Sequence, residues 1–269
     1  MGRRWGSSSE TVQCAFWRPS GAQAQERGAH VIRLFVGFDP REAVAYHTFC
    51  QSVLEKASQP VSFTPLVLKS LPGYTETHTD GSNTFVYSRF LTPYLCNFEG
   101  WALFADGDMV CRDDIAKLWA QRDPGKALMV VQHDYQTKAA AKYLGNKNQN
   151  YPRKNWSSVV LWNCGHPKHR VLTPEFLMAQ TGAFLHRFTW LDDSEIGALP
   201  KEWNWLTTEY PDNYDAKLLH YTLGTPCFRD YHDDQGDCGQ LEGDEHAEVE
   251  PLSPGGDAGG DRAGQGTFR

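Results

Sequence analysis

The sequence lacks the features that would place the chain in a membrane or among disulfide-stabilised proteins. No uninterrupted apolar run reaches the ~18 residues of a membrane-spanning helix; the longest, such as Ala127–Val131, have the length of a strand. The seven cysteines are odd in number and scattered, which is not a disulfide framework. The first ten residues contain two arginines but no apolar stretch follows, so no secretory signal is indicated. We therefore expect a cytoplasmic protein with no membrane span.

An excess of basic charge is also missing. The chain has 26 Lys plus Arg and 33 Asp plus Glu, a net charge of −7. Residues 233–269 contain ten acids and two bases, a net charge of −8, so the remainder of the chain has a net charge of +1. A nearly neutral body offers no strongly basic surface for phosphate backbones, and we expect no nucleic-acid partner.

Large apolar side chains are scarce at both ends of the chain. Residues 1–29 show no hydrophobic periodicity, and residues 233–269 combine nine glycines with four large apolar side chains. Such segments cannot bury enough surface to offset the entropy lost on ordering. We predict a disordered leader at residues 1–29, a single domain at residues 30–232 and an acidic, glycine-rich disordered tail at residues 233–269.

Strand-like and helix-like segments alternate between these ends. Val31–Phe38 predicts a buried strand, and Asp39, Pro40 and Glu42 have the pattern of a capped helix start. Further strands are predicted at Val61–Leu68, Trp101–Phe104, Ala127–Gln132, Ser158–Trp162 and Lys217–Tyr221, and a helix at Thr84–Leu95. The alternation predicts an α/β fold, a mainly parallel sheet with helices on both faces, in which ligands bind at the carboxyl ends of strands.

The strongest chemical signal is Asp106-Gly107-Asp108, which directly follows the predicted strand Trp101–Phe104. Two carboxylates two residues apart point to the same side of an extended chain. Gly107 permits a tight turn and leaves room for a ligand. A pair of convergent carboxylates suits a hard divalent cation, which could bridge the diphosphate of a sugar nucleotide. The alternative is a surface turn, since Asp-Gly is a common turn dipeptide.

Four other segments accompany this motif in a fixed order. The segment that precedes it is Phe85–Leu95, and those that follow are Asn155–Asn163, Trp190–Ile196 and Leu218–Pro226. The ordered set, from the first strand to Pro226, resembles the family 8 glycosyltransferases and their relatives, which have the GT-A (Rossmann-like) fold. The resemblance implies a hexosyltransferase that uses Mn²⁺ (or Mg²⁺) and a UDP-sugar donor, with retention of anomeric configuration and an unknown carbohydrate or other hydroxyl acceptor.

The resemblance also implies roles for individual residues. Asp106 and Asp108 match the metal-binding pair, and His220 matches the third ligand, whose imidazole suits Mn²⁺ better than Mg²⁺. Arg89 resembles the arginine that holds the sugar and the Asp-x-Asp loop, and Asn155 resembles the strand asparagine that touches the donor sugar.

Asp193 resembles an acid that lies near the reacting carbon, and the segment Gly37-Phe38-Asp39 resembles the one that cradles the uracil. The resemblance thus assigns metal binding to Asp106, Asp108 and His220, donor binding to Gly37, Phe38, Asp39, Arg89, Asp106, Gly107 and Gly224, and catalysis to Arg89, Asn155 and Asp193.

The chain departs from the family signature at the residues that would bind the diphosphate. His220 and Gly224 are one residue further apart than in the family, and the segment Thr225-Pro226-Cys227-Phe228 stands where its Lys-Pro-Trp would end. The lysine that would clamp the diphosphate is therefore missing, with Arg229, Lys217 and Lys154 as candidate replacements. Such departures are typical of a divergent relative.

Each assigned residue also has a structural alternative. His220 can be a core histidine, and Arg89 can pair with a surface acid, which stabilises little. Asp192 and Asp193 can simply cap the helix predicted after them. For the reaction, either Asp193 attacks the anomeric carbon or the acceptor attacks on the face from which the diphosphate leaves. The absence of an obvious nucleophile–base pair favours the second route.

Two other functions stay open. A sugar nucleotidyltransferase usually has a glycine-rich basic loop after the first strand, and Gly37–Arg41 contains only one glycine and one arginine. A non-catalytic nucleotide-sugar-binding protein is compatible with the missing lysine.

Overall fold

The computed structural model describes residues 31–138, 150 and 152–226. The predicted leader and tail, at residues 1–29 and 233–269, lie outside the described residues. Among the residues described, no helix is both long enough and apolar enough to cross a membrane.

The strands and helices follow one another largely as the periodicity predicts. The strands are β1 (Ile32–Gly37), β2 (Val61–Leu66), β3 (Trp101–Ala105), β4 (Met109–Cys111), β5 (Leu128–Val130), β6 (Val159–Asn163), β7 (Ile196–Ala198), β8 (Trp205–Leu206) and β9 (Leu218–His220). The α-helices are α1 (Ala43–Lys56), α2 (Thr92–Leu95), α3 (Ile115–Trp119), α4 (Pro174–Ala179) and α5 (Gly182–His186). Short 3-10 turns connect several of them.

A six-stranded sheet in the order β2-β1-β3-β6-β5-β7 forms the centre of the fold. β1 pairs in parallel with β2 and β3, and β5 pairs in parallel with β7. β6 runs antiparallel to both β3 and β5. The prediction of a mainly parallel sheet is confirmed. Because β6 is reversed, it begins beside the carboxyl end of β3, and this brings the residues just before β6 next to Asp106.

Side chains on the two faces of this sheet belong to separate apolar cores. Leu34 of β1 packs in one core with residues of α1 and α3, whereas its neighbour Phe35 packs in the other with residues of α4 and α5. The alternation follows from the two-residue period of a strand. The prediction of helices on both faces is therefore confirmed.

A second, three-stranded sheet in the order β4-β9-β8 was predicted only at β9. β4 pairs antiparallel with β9, which pairs in parallel with β8. Strands of two or three residues are too short to carry a periodic signal. This small sheet sets the register between the segment after Asp108 and His220.

The predicted helix at Thr84–Leu95 is wrong over its first half. Only the 3-10 turn Ser88–Leu91 and α2 are helical, and Pro93 lies in the first turn of α2. Phe85 packs its ring over Gly37, where an added Cβ would lie 2.3 Å from the ring carbons. Tertiary packing of this kind overrides the local helical pattern.

Candidate metal centre

Asp106 directly follows β3 and continues the hydrogen bonding of that strand to the segment before β6. Its backbone N–H donates to the Ser158 carbonyl at 2.9 Å. The residue is 7% exposed, and its Oδ1 lies 2.7 Å from Nη1 of Arg89. Burial raises the pKa of Asp106 to about 6; the neighbouring Asp108 acts in the same direction, whereas Arg89 and His220 oppose the shift.

Gly107 lies too close to the backbone of β1 to carry a side chain. A Cβ at this position would lie 2.3 Å from the Gly37 carbonyl oxygen. The end of β1 and the turn that follows β3 are therefore in close contact. The expected contact of Gly37 and Gly107 with the donor stays a prediction.

His220 reaches the two aspartates through the small sheet. Its partner in the β4–β9 register is Met109, and the Tyr221 N–H donates to the Asp108 carbonyl at 3.0 Å. The Nε2 atom of His220 lies 3.4 Å from Oδ1 of Asp108 and 3.9 Å from Oδ2 of Asp106. One potential ligand atom from each of the three residues lies within 4.8 Å of the other two.

The orientation of His220 is fixed by Asn204, which the sequence analysis did not identify. His220 Nδ1 donates to Asn204 Oδ1 at 2.9 Å, and Asn204 Nδ2 donates to Ser158 Oγ at 2.8 Å. With Nδ1 bonded to Asn204, Nε2 is the ring nitrogen that faces the two carboxylates. Metal-bound histidines usually have their second ring nitrogen held in this way. Two carboxylates and a neutral imidazole fit a divalent transition-metal ion.

Arg89 is a buried cation rather than half of a surface ion pair. It is 4% exposed, and its guanidinium lies between the rings of Phe85 and Phe104, at 5.3 Å and 5.1 Å from their centroids. Besides Asp106, it donates to the backbone carbonyls of Ser157 (3.0 Å) and Val86 (3.0 Å). The side chain therefore joins the Asp106 turn to the segment before β6.

Asn155 lies at the same edge in a left-handed conformation, with φ 61°. Its carbonyl accepts from Ser158 Oγ at 2.6 Å and its Nδ2 donates to Tyr135 Oη at 2.7 Å. The sheet edge thus brings together Arg89, Asp106, Asp108, Asn155 and His220 around one cavity, which is also lined by Ser82, Asn83, Ser157, His186 and Thr222. The cavity volume is about 80 Å³, room for an ion with a few waters of about 30 Å³ each.

Asp193 does not join this group. It precedes β7, whose direction matches that of β3, whereas Asp106 follows β3; the two acids therefore lie at opposite edges of the sheet. Its side chain is 91% exposed and forms an ion pair with Arg153. The Asp192 N–H donates to Glu195 Oε2 at 2.8 Å, so the acidic segment caps its own 3-10 turn. Spacing alone could not separate this local role from a catalytic one.

The segment predicted to cradle the uracil has internal partners. Asp39 is 2% exposed and accepts hydrogen bonds from Arg41 and from the Thr84 N–H. Burial acts against the charge, but these hydrogen bonds hold the pKa of Asp39 below its usual value. The Phe38 ring packs edge-on against Tyr46, with centroids 5.3 Å apart. Donor binding by Phe38 and Asp39 stays a prediction.

Gly224 and the candidate replacements for the diphosphate-binding lysine do not lie together. Gly224 is buried in the segment after β9. Lys217 lines a different groove with Arg112 and Glu202, and Lys154 is 6% exposed beside Asn155. Arg229 lies outside the described residues.

Comparison with solved structures identifies the fold. The apo structure of the WbbM bifunctional glycosyltransferase has a TM-score of 0.54 and 15% identity, covering 78% of this chain and 50% of that one. The chain therefore spans half the length of that structure. The galactosyltransferase LgtC, solved with donor and acceptor sugar analogues, has a TM-score of 0.46 and 14% identity, covering 74% and 90%. The fold is the GT-A fold of family 8-like glycosyltransferases.

Sequence comparison gives a nearer relative. No family model matches the chain. Protein CDI of Arabidopsis thaliana is 45% identical over 210 residues, which cover 75% of this chain and 81% of that protein. The chain belongs to the same family as Protein CDI.

Proposed function

We propose that the chain is a metal-dependent glycosyltransferase that moves a hexose from a UDP-sugar to a hydroxyl acceptor with retention of configuration. The observation that carries the proposal is the Asp106, Asp108 and His220 group at the carboxyl edge of β3 in a GT-A fold. Ligands of open α/β sheets bind at this edge. Free thiols at Cys50, Cys96, Cys111 and Cys164 support a cytoplasmic location.

Asp106, Asp108 and Nε2 of His220 would hold the cation, with Mn²⁺ favoured by the mixed oxygen and nitrogen donors. When bound, a divalent cation would neutralise charge that develops on the departing diphosphate. Arg89 holds Asp106 in place, and Asn204 holds His220. Because the inner cavity has a volume of only about 80 Å³, most of the sugar nucleotide would lie outside it.

The surroundings of the cavity favour attack on the face from which the diphosphate leaves. Among the described residues that line the cavity, Asp106 and Asp108 are the only carboxylates, and both belong to the proposed metal site. A covalent route needs a third carboxylate within about 3 Å of the anomeric carbon. In the same-face route the departing phosphate oxygen accepts the proton of the acceptor hydroxyl, and the chain contributes position and charge.

A non-catalytic nucleotide-sugar-binding protein is the second candidate, because the signature lysine is absent and Lys217 lies in a separate groove. Turnover separates the two functions, since both require nucleotide binding. The test is a thermal-shift series with UDP, GDP, ADP and CTP, each with Mn²⁺, Mg²⁺ or EDTA. A ligand at about 100 times its Kd stabilises the folded state by about 2.7 kcal/mol.

We expect stabilisation by UDP in Mn²⁺ that EDTA removes, followed by release of UDP from one UDP-sugar in a panel of donors. UDP binding without turnover of any donor would favour the binding protein. No shift with any nucleotide would contradict both functions.

A further inference from the structure

Asn83 places a buried polar atom in the metal cavity without a protein partner. Its Oδ1 has no hydrogen-bond partner among the described residues, and the residue lines the same cavity as Asp106, Asp108 and His220. Buried carboxamide oxygens are almost always hydrogen-bonded in folded proteins. Facing a candidate metal site, this oxygen is available to accept a hydrogen bond from a ligand.

The segment around Asn83 is held in place from the loop that follows β1. The Thr84 N–H donates to Asp39 Oδ2 at 3.0 Å, and Thr84 Oγ1 donates to the Phe38 carbonyl at 2.8 Å. On the other side, Arg41 Nη2 donates to the Ser82 carbonyl at 3.1 Å. Asn83 is therefore fixed through both of its chain neighbours. Phe38 and Asp39 thus hold a residue that lines the cavity, and their predicted contact with the nucleotide stays a prediction.

The chemistry of a carboxamide oxygen limits what it can recognise. It accepts hydrogen bonds, so its partner is a donor such as a hydroxyl, an N–H group or a water molecule. Diphosphate oxygens at neutral pH are acceptors themselves and cannot supply the proton. A sugar nucleotide near the Asp106 and Asp108 carboxylates offers the hydroxyl groups of its sugar as the matching donors.

We propose that Asn83 determines donor specificity by accepting a hydrogen bond from a hydroxyl of the transferred sugar. This inference rests on the function proposed above. It assigns sugar recognition to the segment before Arg89, whereas the diphosphate is recognised at the metal.

The test compares Asn83→Leu with the unaltered protein in the presence of Mn²⁺. The probes are UDP, UDP-glucose, UDP-galactose and UDP-xylose, and the measurements are the Tm without ligand and the Kd of each probe by calorimetry. We expect the Tm without ligand to be unchanged or higher, because the substitution removes a buried acceptor without a protein partner. We expect the Kd for UDP to stay the same and the Kd for the preferred UDP-sugar to rise at least tenfold.

Asn163→Leu is the matched control. Asn163 Nδ2 donates to the Lys126 carbonyl at 3.0 Å at the far end of β6. This substitution should lower the Tm and leave every Kd unchanged, the opposite pattern to Asn83→Leu.

Equal Kd values for the UDP-sugars in Asn83→Leu and the unaltered protein would overturn the assignment while leaving the proposed function intact. A drop in Tm as large as that of Asn163→Leu would also overturn it, because Asn83 would then be structural. Failure of the unaltered protein to bind UDP would overturn the proposed function first, and this assignment with it. If Asn83→Leu does not fold, Asn83→Ala allows the same comparison of Kd values.

Discussion

Two acidic pairs of this chain, Asp106 with Asp108 and Asp192 with Asp193, lie in contrasting surroundings at opposite edges of one sheet. Asp106 and Asp108 are separated by a glycine, and their carboxyl groups are 11% and 13% exposed beside Arg89 and His220. Asp192 and Asp193 are adjacent, 77% and 91% exposed, and paired with Lys168 and Arg153. Both pairs follow short apolar segments in the sequence. The comparison shows that burial, rather than the presence of two acids, distinguishes a candidate site from a solvated turn.

The electrostatics of the two edges differ accordingly. Burial raises the pKa of Asp106 although Arg89 and His220 oppose the shift, so a bound cation would further stabilise its charged form. At the other edge, the Lys168 ammonium lowers the pKa of Glu195. Exposed ion pairs of this type contribute about 0–1 kcal/mol to stability. Substitutions at Gly107, Asn204, His169 and Asp193 test this difference between buried and exposed positions.

Of these substitutions, Gly107→Ala should lower the free energy of unfolding most. The added methyl group would meet the Gly37 carbonyl oxygen at 2.3 Å, and overpacking of this kind costs about 1–3 kcal/mol or more. Urea denaturation measures the loss in the free energy of unfolding. Gly125→Ala is the control, since its nearest neighbour is the Asp123 side chain at 3.2 Å on an exposed turn. Equal losses in both variants would contradict the close approach of the two loops.

Asn204→Leu should weaken Mn²⁺ binding, because His220 loses the acceptor that directs its Nε2 lone pair toward the carboxylates. Loss of such a supporting hydrogen bond lowers metal affinity by about 10–100-fold. Titration of Mn²⁺ followed by its paramagnetic resonance signal gives the affinity. Asn204→Asp retains an acceptor for Nδ1 and should recover most of the binding; if both variants lose it equally, Asn204 does not act through His220.

The third prediction concerns the pH dependence of stability. His169 is buried near the edge of the sheet at which β5 begins. Burial lowers the pKa of His169 to about 4, and its Nε2 lies 2.8 Å from the Ala127 carbonyl. Between pH 6.5 and 4 the unfolded chain binds a proton that the folded protein does not, so stability falls as the pH is lowered, by about 1.4 kcal/mol per pH unit. His169→Gln should make this dependence shallower, with the part due to buried His133, whose pKa is lowered to about 3, remaining; the exposed His47→Gln should leave it unchanged. Parallel pH profiles for all three proteins would show that His169 is not buried as a neutral group.

Asp193→Asn should have the smallest effect. The side chain is almost fully exposed and its partner is Arg153 at the surface, so a change in stability within about 1 kcal/mol is expected. Mn²⁺-dependent nucleotide binding and donor turnover should stay at the level of the unaltered protein. A large loss of turnover with binding intact would return Asp193 to a catalytic role.

The sequence predicts the elements that carry long periodic or apolar patterns. β1, β2, β3, β6 and α1 are found within one to three residues of the expected positions, because buried strands and an amphipathic helix leave a clear pattern. β4 and β8 have three and two residues, and their pairing partners lie far away in sequence. No local pattern can encode such pairing.

For the candidate site, the sequence predicts residue types that bind metals but not the residues that support them. The Asp-x-Asp motif and the late histidine point to the same centre by their chemistry. Asn204 and Asn83 are ordinary polar residues in sequence, and their importance comes only from where the backbone places them. Asp193 is the reverse case: its catalytic role stays a prediction, and the sheet places it at the opposite edge from Asp106.

The most direct test of the central claim is a Mn²⁺ titration of the unaltered protein and of Asp108→Asn, with and without UDP, by paramagnetic resonance. We predict one tight Mn²⁺ site in the unaltered protein that strengthens with UDP, and its loss in a folded Asp108→Asn variant. Binding of equal affinity in both proteins, or no Mn²⁺ binding in the unaltered protein, would contradict the assignment of Asp106, Asp108 and His220 as a metal centre.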